Sequence, residues 1–326
     1  MGRAANLQDT IGQLFLAQQF EEIYQATTAE FQHYVTYEQF IELAIPFVEG
    51  VAQFQLEYDA NMPYAKQMIW LDSKKTKAIV VAFNEANEIE SLFLTPFTTD
   101  TKANQRYTKN SYAYPFKGEW FVFWGGANEL INYHYTYESQ RFAYDFVKVQ
   151  DGSTYRQTPE HNEHYFAYNE EIMAPLDGKV IEVVDTIIDN IPSQMDEQNP
   201  AGNYVIIEHA NKEYSLLAHL VPNSITVRVG QPVKTGDIIG RCGNSGNSSE
   251  PHLHFQVMDA PSLTHCKSLR IRFHDNQEPL QGDTVIGEMK PKPQKSFEEK
   301  TDKFDFFVTF AEVLMLIPRA VWQFLK

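Results

Sequence analysis

Cysteine is nearly missing: Cys242 and Cys266 are the only two in 326 residues. That excludes a disulfide framework, and two free buried thiols are the expected state. Positive charge is scarce as well, with 27 Lys and Arg against 43 Asp and Glu and a formal net charge of −16. A nucleic-acid partner is not expected, because phosphate binding needs a basic face. The amino terminus lacks the apolar core of a signal peptide, since Met1 to Phe20 mixes polar and apolar residues throughout. Gly2 has Asn6 where a myristoylation signal has Ser or Thr. No solenoid-type repeat is present. Apolar residues are not depleted (43% of the chain), so disorder throughout is not expected.

The rhythm of the chain divides it. Leu14, Phe15, Ala17, Phe20, Ile23 and Tyr24 recur at helical spacing. Thr36 opens a second helical run with Gln39 in capping-box position. From Val51 the pattern turns strand-like, through Phe54–Tyr58, Met68–Leu71, Ala78–Phe83 and Ile89–Phe93. Residues 1–97 are therefore expected to form an α+β module, similar in pattern to the cystatin/NTF2-like modules. Residues 98–118 are polar and Tyr-rich and read as a linker. From Phe121 to about Gly287, short strands alternate with Gly, Pro and Asn turns, which predicts an all-β antiparallel domain over 119–287. Residues 288–303 read as a second linker. Residues 304–326 read as an amphipathic helix with Asp305, Glu312 and Arg319 seven apart on one face. Charges interrupt its apolar stretches and Pro318 breaks it, so it should dock on a surface instead of spanning a bilayer. That surface is the chain's own domains or, alternatively, a membrane.

The sharpest chemical signal is Pro251-His252-Leu253-His254-Phe255-Gln256-Val257. Residues i and i+2 of a strand share a face, so both imidazoles point one way, about 6 to 7 Å apart at the backbone. One can ligate a metal while the other stands over the metal's water. Upstream lie Ala174-Pro175-Leu176-Asp177-Gly178-Lys179-Val180, Gly202-Asn203-Tyr204-Val205-Ile206-Ile207, Ala218-His219-Leu220 and Gly230 to Gly240 with a Gly-x-x-Val-x-x-Gly-x-x-Ile-Gly pattern. In this order, over roughly Phe121 to Met258, the segments resemble the lysostaphin/LytM-like zinc metallopeptidases.

That resemblance implies a compact antiparallel β fold with one Zn²⁺ per chain and hydrolysis of peptide bonds in bacterial peptidoglycan. It also implies a place in the cell envelope or outside the cell. His254 is then a zinc ligand, and His252 and His219 are the catalytic pair beside the metal's water, with His252 as general base. Their roles could be exchanged. The family's other two ligands are a His and an Asp four apart. Ala143-Tyr144-Asp145 supplies Asp145, but the residue four before it is Arg141, which cannot bind zinc. The nearest upstream imidazole is His134, eleven residues from Asp145. An odd separation on a straight strand puts the two on opposite faces. Residues 135–140 must therefore bulge or loop if His134, Asp145 and His254 share an ion. A catalytically impaired binding or regulatory module, motivated by Arg141, is a competing reading. So is a non-haem iron enzyme, since two His and one carboxylate also make a facial triad. His161 and His164 have ligand-like spacing in a polar loop. His209 reads as a strand-edge residue, and His33, His265 and His274 have no partner pattern. Gly240, Gly243 and Gly246 read as tight β turns, because no Gly-Lys-Ser/Thr follows.

Overall fold

The computed structural model describes residues 7–288. Apart from Glu288, the expected linker 288–303 and the whole expected helix 304–326 lie outside the described residues.

Four short helices open the chain: α1 (Leu7–Leu16), α2 (Phe20–Gln25), α3 (Ala29–Tyr34) and α4 (Tyr37–Val48). The capping box at α4 is formed in both directions, with the Gln39 amide N–H donating to Thr36 Oγ1 and the Thr36 N–H donating to Gln39 Oε1. The rings of Phe15, Phe20 and Phe40 meet edge to face at 6.0 to 6.2 Å and gather the helices. An antiparallel meander follows: β1 (Phe54–Asn61), β2 (Lys66–Asp72), β3 (Lys77–Phe83) and β4 (Ile89–Pro96). Strand alternation gives this sheet two faces. Met68, Trp70, Ile79, Val81 and Phe83 pack under the helices. Ile69, Leu71 and Ala78 face the other way and are also buried, against Phe97 and Ile131. A meander with two apolar faces needs a second cover, and the β domain supplies it. Polar contacts join the same seam: Gln67 Nε2 donates to the Leu130 carbonyl (3.4 Å), Tyr64 Oη and Thr154 Oγ1 lie 2.6 Å apart, and Tyr58 Oη donates to the Gln281 carbonyl.

Residues 98–118 differ from the expected linker. They carry a 3-10 turn (Ala103–Gln105), strand β5 (Tyr107–Tyr112) and the start of β6 (Gly118–Trp124). Their polarity serves a buried partner. The Glu213 carboxylate is almost fully buried and accepts the Lys109 and Asn110 backbone N–H groups and the Tyr112 hydroxyl. A buried carboxylate is tolerated when its oxygens are saturated in this way.

The remaining strands are β7 (Tyr144–Val147), β8 (Glu171–Met173), β9 (Gly178–Val184), β10 (Asn203–Glu208), β11 (Tyr214–Leu220), β12 (Pro232–Val233), β13 (Ile238–Arg241), β14 (Leu253–Met258), β15 (Ser268–Phe273) and β16 (Thr284–Gly287). The large sheet runs β12-β9-β10-β11-β14-β7-β6-β16, with β15 on β14 and β5 on β15. Its pairings are antiparallel except β5 with β15. Strands β11 and β14 are buried along their whole length. Leu253, Phe255 and Val257 enter the main core together with Tyr144, Phe146 and Leu217. The alternate positions, His254 and Gln256 on β14 and Asp145 on β7, therefore face the opposite side of the sheet. Cys242 and Cys266 are free and buried, one in each of two separate clusters. No helix among the described residues is long and apolar enough to cross a membrane.

Candidate active site

Strand register assembles most of the site. His254 sits directly opposite Asp145 in the β14–β7 pairing and opposite Ala218 in the β14–β11 pairing, one residue from His219. His252 lies one residue before β14. His134 arrives from a 3-10 turn, Tyr133–Thr136, and residues 137–143 loop back to β7. This is the loop that the odd separation from Asp145 demands. It is braced by a small cluster of Tyr135, Phe142 and Ala103. Arg141 turns away from the site. Its Nη1 lies 2.7 Å from Asp100 Oδ2, and its guanidinium covers the Tyr135 ring.

The structure brings His134, Asp145 and His254 together, with one donor atom from each within 4.8 Å of the others. His134 Nε2 is 3.4 Å from Asp145 Oδ2, and His254 Nδ1 is 3.0 Å from Asp145 Oδ1. Ligands at about 2.0 to 2.2 Å around a tetrahedral zinc lie at comparable separations. His134 Nε2 is buried and has no hydrogen-bond partner. A polar atom left bare in the interior is costly, and a metal at this point would satisfy it. The donor set thus fits a single Zn²⁺.

His252 and His219 complete the centre. Their rings are 4.7 Å apart, and the His219 ring is 5.8 Å from that of His254. Each has Nδ1 on a backbone carbonyl: His252 on Glu250 O at 2.8 Å and His219 on Ser245 O at 2.7 Å. A carbonyl only accepts, so Nδ1 carries a proton in both, and in the neutral ring Nε2 is the nitrogen with the lone pair. His252 Nε2 is buried without a hydrogen-bond partner and lies 3.7 Å from Asp145 Oδ1. His219 has φ +63°, a left-handed conformation unusual for a side chain of this size. Its N–H bond to Ala201 O and its ring bond to Ser245 hold it there.

Electrostatics follow from burial and crowding. Burial pushes the His134 imidazole down to about 3. Burial, then the neighbouring His252 and His254, holds His219 well below its ordinary value. Burial alone would raise the Asp145 carboxyl, but the imidazoles of His134, His252 and His254 outweigh it and keep Asp145 well below the usual carboxylate range. Burial would likewise depress His254, but its hydrogen bond to Asp145 prevails and raises it.

The other histidines lie elsewhere. His161 and His164 face each other at 5.1 Å, and His164 Nδ1 bonds the Thr158 carbonyl. His209 bridges Asp177 O and Ser215 Oγ. His265 bonds Ser262 and Thr264. His33 packs on Tyr34, and His274 lines a groove with Tyr114 and Asp275. Two further contributors, Asn132 and Gln256, hydrogen-bond the rings of His134 and His254. Each stands two residues from its histidine, a spacing legible once the histidine itself is singled out.

Residues 161–269 match the model of peptidase family M23, which takes in His219, His252, His254 and Gln256 but neither His134 nor Asp145. A metalloprotease of Buchnera aphidicola is 33% identical over 98 residues, 30% of this chain and 24% of that one. The peptidoglycan DD-endopeptidase ShyA of Vibrio cholerae is 43% identical over 58 residues, 18% of this chain and 13% of that one. The chain thus spans a quarter or less of the length of these relatives. Among solved structures, the catalytic domain of lysostaphin from Staphylococcus simulans aligns with 21% identity and a TM-score of 0.27, over 52% of this chain and 95% of that one. By the family match, residues 161–269 belong to a domain of peptidase family M23.

Proposed function

We propose that the chain is a zinc-dependent endopeptidase that hydrolyses peptide bonds of bacterial peptidoglycan, and so works in the cell envelope. The observation that carries this reading is the convergence of His134 Nε2, Asp145 and His254 Nδ1 on one point beside the paired His252 and His219. His134, Asp145 and His254 would hold the ion. When bound, zinc supplies Lewis acidity and brings the pKa of its water to about 7. His252, with Nδ1–H tied to Glu250 O and Nε2 bare, is placed to take a proton from the attacking water and return it to the leaving amine. His219, held in the same tautomer by Ser245 O, is placed to orient the water or to stabilise charge that develops at the scissile carbonyl. The names of the relatives, a peptidoglycan DD-endopeptidase among them, support this substrate class.

His134 supplies the imidazole that Arg141 does not, which favours a working site over an impaired one. An iron enzyme with the same donor set would show iron and oxygen consumption. The test is incubation of the zinc-loaded protein with purified peptidoglycan, followed by measurement of newly exposed amino groups. Release that chelation abolishes and zinc restores is the expected result. Intact peptidoglycan at full zinc occupancy would overturn the proposal.

A further inference from the structure

The four histidines of the centre are held in two different ways. His219 and His252 are tied to backbone carbonyls, whereas His134 and His254 are tied to side-chain amides. We propose that Asn132 and Gln256 are paired positioning residues, which fix opposite tautomers of His134 and His254 and so decide which nitrogen each presents to the metal. The proposal rests on the reading of this centre as a zinc site.

His134 Nδ1 is 2.9 Å from Asn132 Oδ1. The Asn132 amide cannot be turned over, because its Nδ2 donates to the carbonyls of Gly126 (3.0 Å) and Ala143 (3.1 Å) while its Oδ1 also accepts the His134 backbone N–H. The oxygen therefore faces the ring, Nδ1 carries the proton, and Nε2 is the nitrogen left for a metal. At His254 the logic is mirrored. Its Nε2 is 3.0 Å from Gln256 Oε1, and the Gln256 amide donates from Nε2 to the Ser139 carbonyl at 3.1 Å. The oxygen again faces the ring, but on the opposite nitrogen. His254 keeps its Nε2 proton and presents Nδ1, the atom 3.0 Å from Asp145 Oδ1. Both amides are fully buried, where an unanchored amide would be costly. Both are also neutral, so Asp145 stays the carboxylate that stands beside the ligand rings. The amides carry a second consequence, because Ser139 and Ala143 both lie in the loop that returns from His134 to Asp145. Gln256 and Asn132 hold that loop as well as the rings.

The experiment uses the full chain. Zinc affinity is measured by chelator competition for the wild type, Gln256→Met, Gln256→Glu and Asn132→Ala, with folding of each followed by circular dichroism. Gln256→Met removes the acceptor at nearly constant shape, and zinc should bind about 10- to 100-fold more weakly, as for other outer partners of ligand histidines. Gln256→Glu restores an acceptor and should recover most of that loss. In parallel, nitrogen-15 NMR of histidine-labelled, zinc-loaded wild type reads the tautomers directly: Nδ1–H at His134 and Nε2–H at His254. This measurement stands even if Asn132→Ala fails to fold. Nε2–H at His134 or Nδ1–H at His254 in the wild type, or a folded Gln256→Met variant with wild-type zinc affinity, overturns the proposal and leaves the zinc site intact. A wild type that binds no zinc overturns the site reading and this one with it.

Discussion

His254 Nδ1 and Asp145 Oδ1 stand 3.0 Å apart on directly opposed positions of neighbouring strands. Two residues separated by 109 positions in the chain are thus held opposite each other by backbone register. The third expected ligand has no such support, since His134 sits in a 3-10 turn outside the sheet.

Replacement of His134 by Ala should therefore abolish stable zinc retention while the sheet stays folded. Metal content after dialysis measures this. Full occupancy in the variant would remove His134 from the site.

His252→Ala and His219→Ala should keep zinc and lose hydrolysis, each by about 10² to 10⁴ in rate, the usual contribution of a positioned acid or base. Near-normal release of amino groups from peptidoglycan by either variant would overturn the assignment of that residue.

Gly202 has φ +57°, and a Cβ there would stand 2.3 Å from the Ser245 carbonyl oxygen. That same oxygen accepts the His219 Nδ1–H. Gly202→Ala should cost roughly 1–3 kcal/mol or more through backbone strain and overpacking. It should also depress activity through His219, with zinc retained. Denaturant midpoints and metal content together check this, and an unchanged midpoint would refute it.

Burial pushes the Glu250 carboxyl up to about 7 from an ordinary 4.5, and Thr154 Oγ1 donates to it at 3.1 Å. Between these two values the folded chain holds a proton that the unfolded chain has lost. Stability should therefore fall as pH rises from about 4.5 to about 7, by at most about 3 kcal/mol. Glu250→Gln should remove this slope, so that the variant gains on the wild type at pH 8 relative to pH 5. Parallel pH profiles for the two proteins would show that Glu250 is not so perturbed.

Local rules made part of this molecule readable. Thr36 and Gln39 announce a helix start because both halves of the cap lie within four residues. His252 and His254 announce a shared face because strand period is a local property. His134 is singled out as the nearest imidazole upstream of Asp145, and the loop it needs follows from the parity of its separation from Asp145. What stayed hidden depends on distant partners. Residues 98–118 look like linker until Glu213 is known to lie beneath them, 103 residues beyond Asn110. Strand β5 pairs in parallel with β15, which no turn signal near Tyr107 could reveal. Asn132 and Gln256 are ordinary amides in sequence and gain meaning only from the ring each faces.

Ile131 is buried between Ile69, Leu71 and Phe97, three positions before His134. The amino-terminal sheet is therefore part of the wall behind a proposed metal ligand, although it lies outside the stretch that matches the peptidase family. Inheritance of this chain is consequently not modular at the point where the family match begins. A fusion that transplanted residues 119–287 alone would carry every histidine of the centre yet leave Ile131 uncovered. Ile69 and Leu71, with no chemistry of their own, have to travel with the residues of the candidate site whenever this gene is cut and joined.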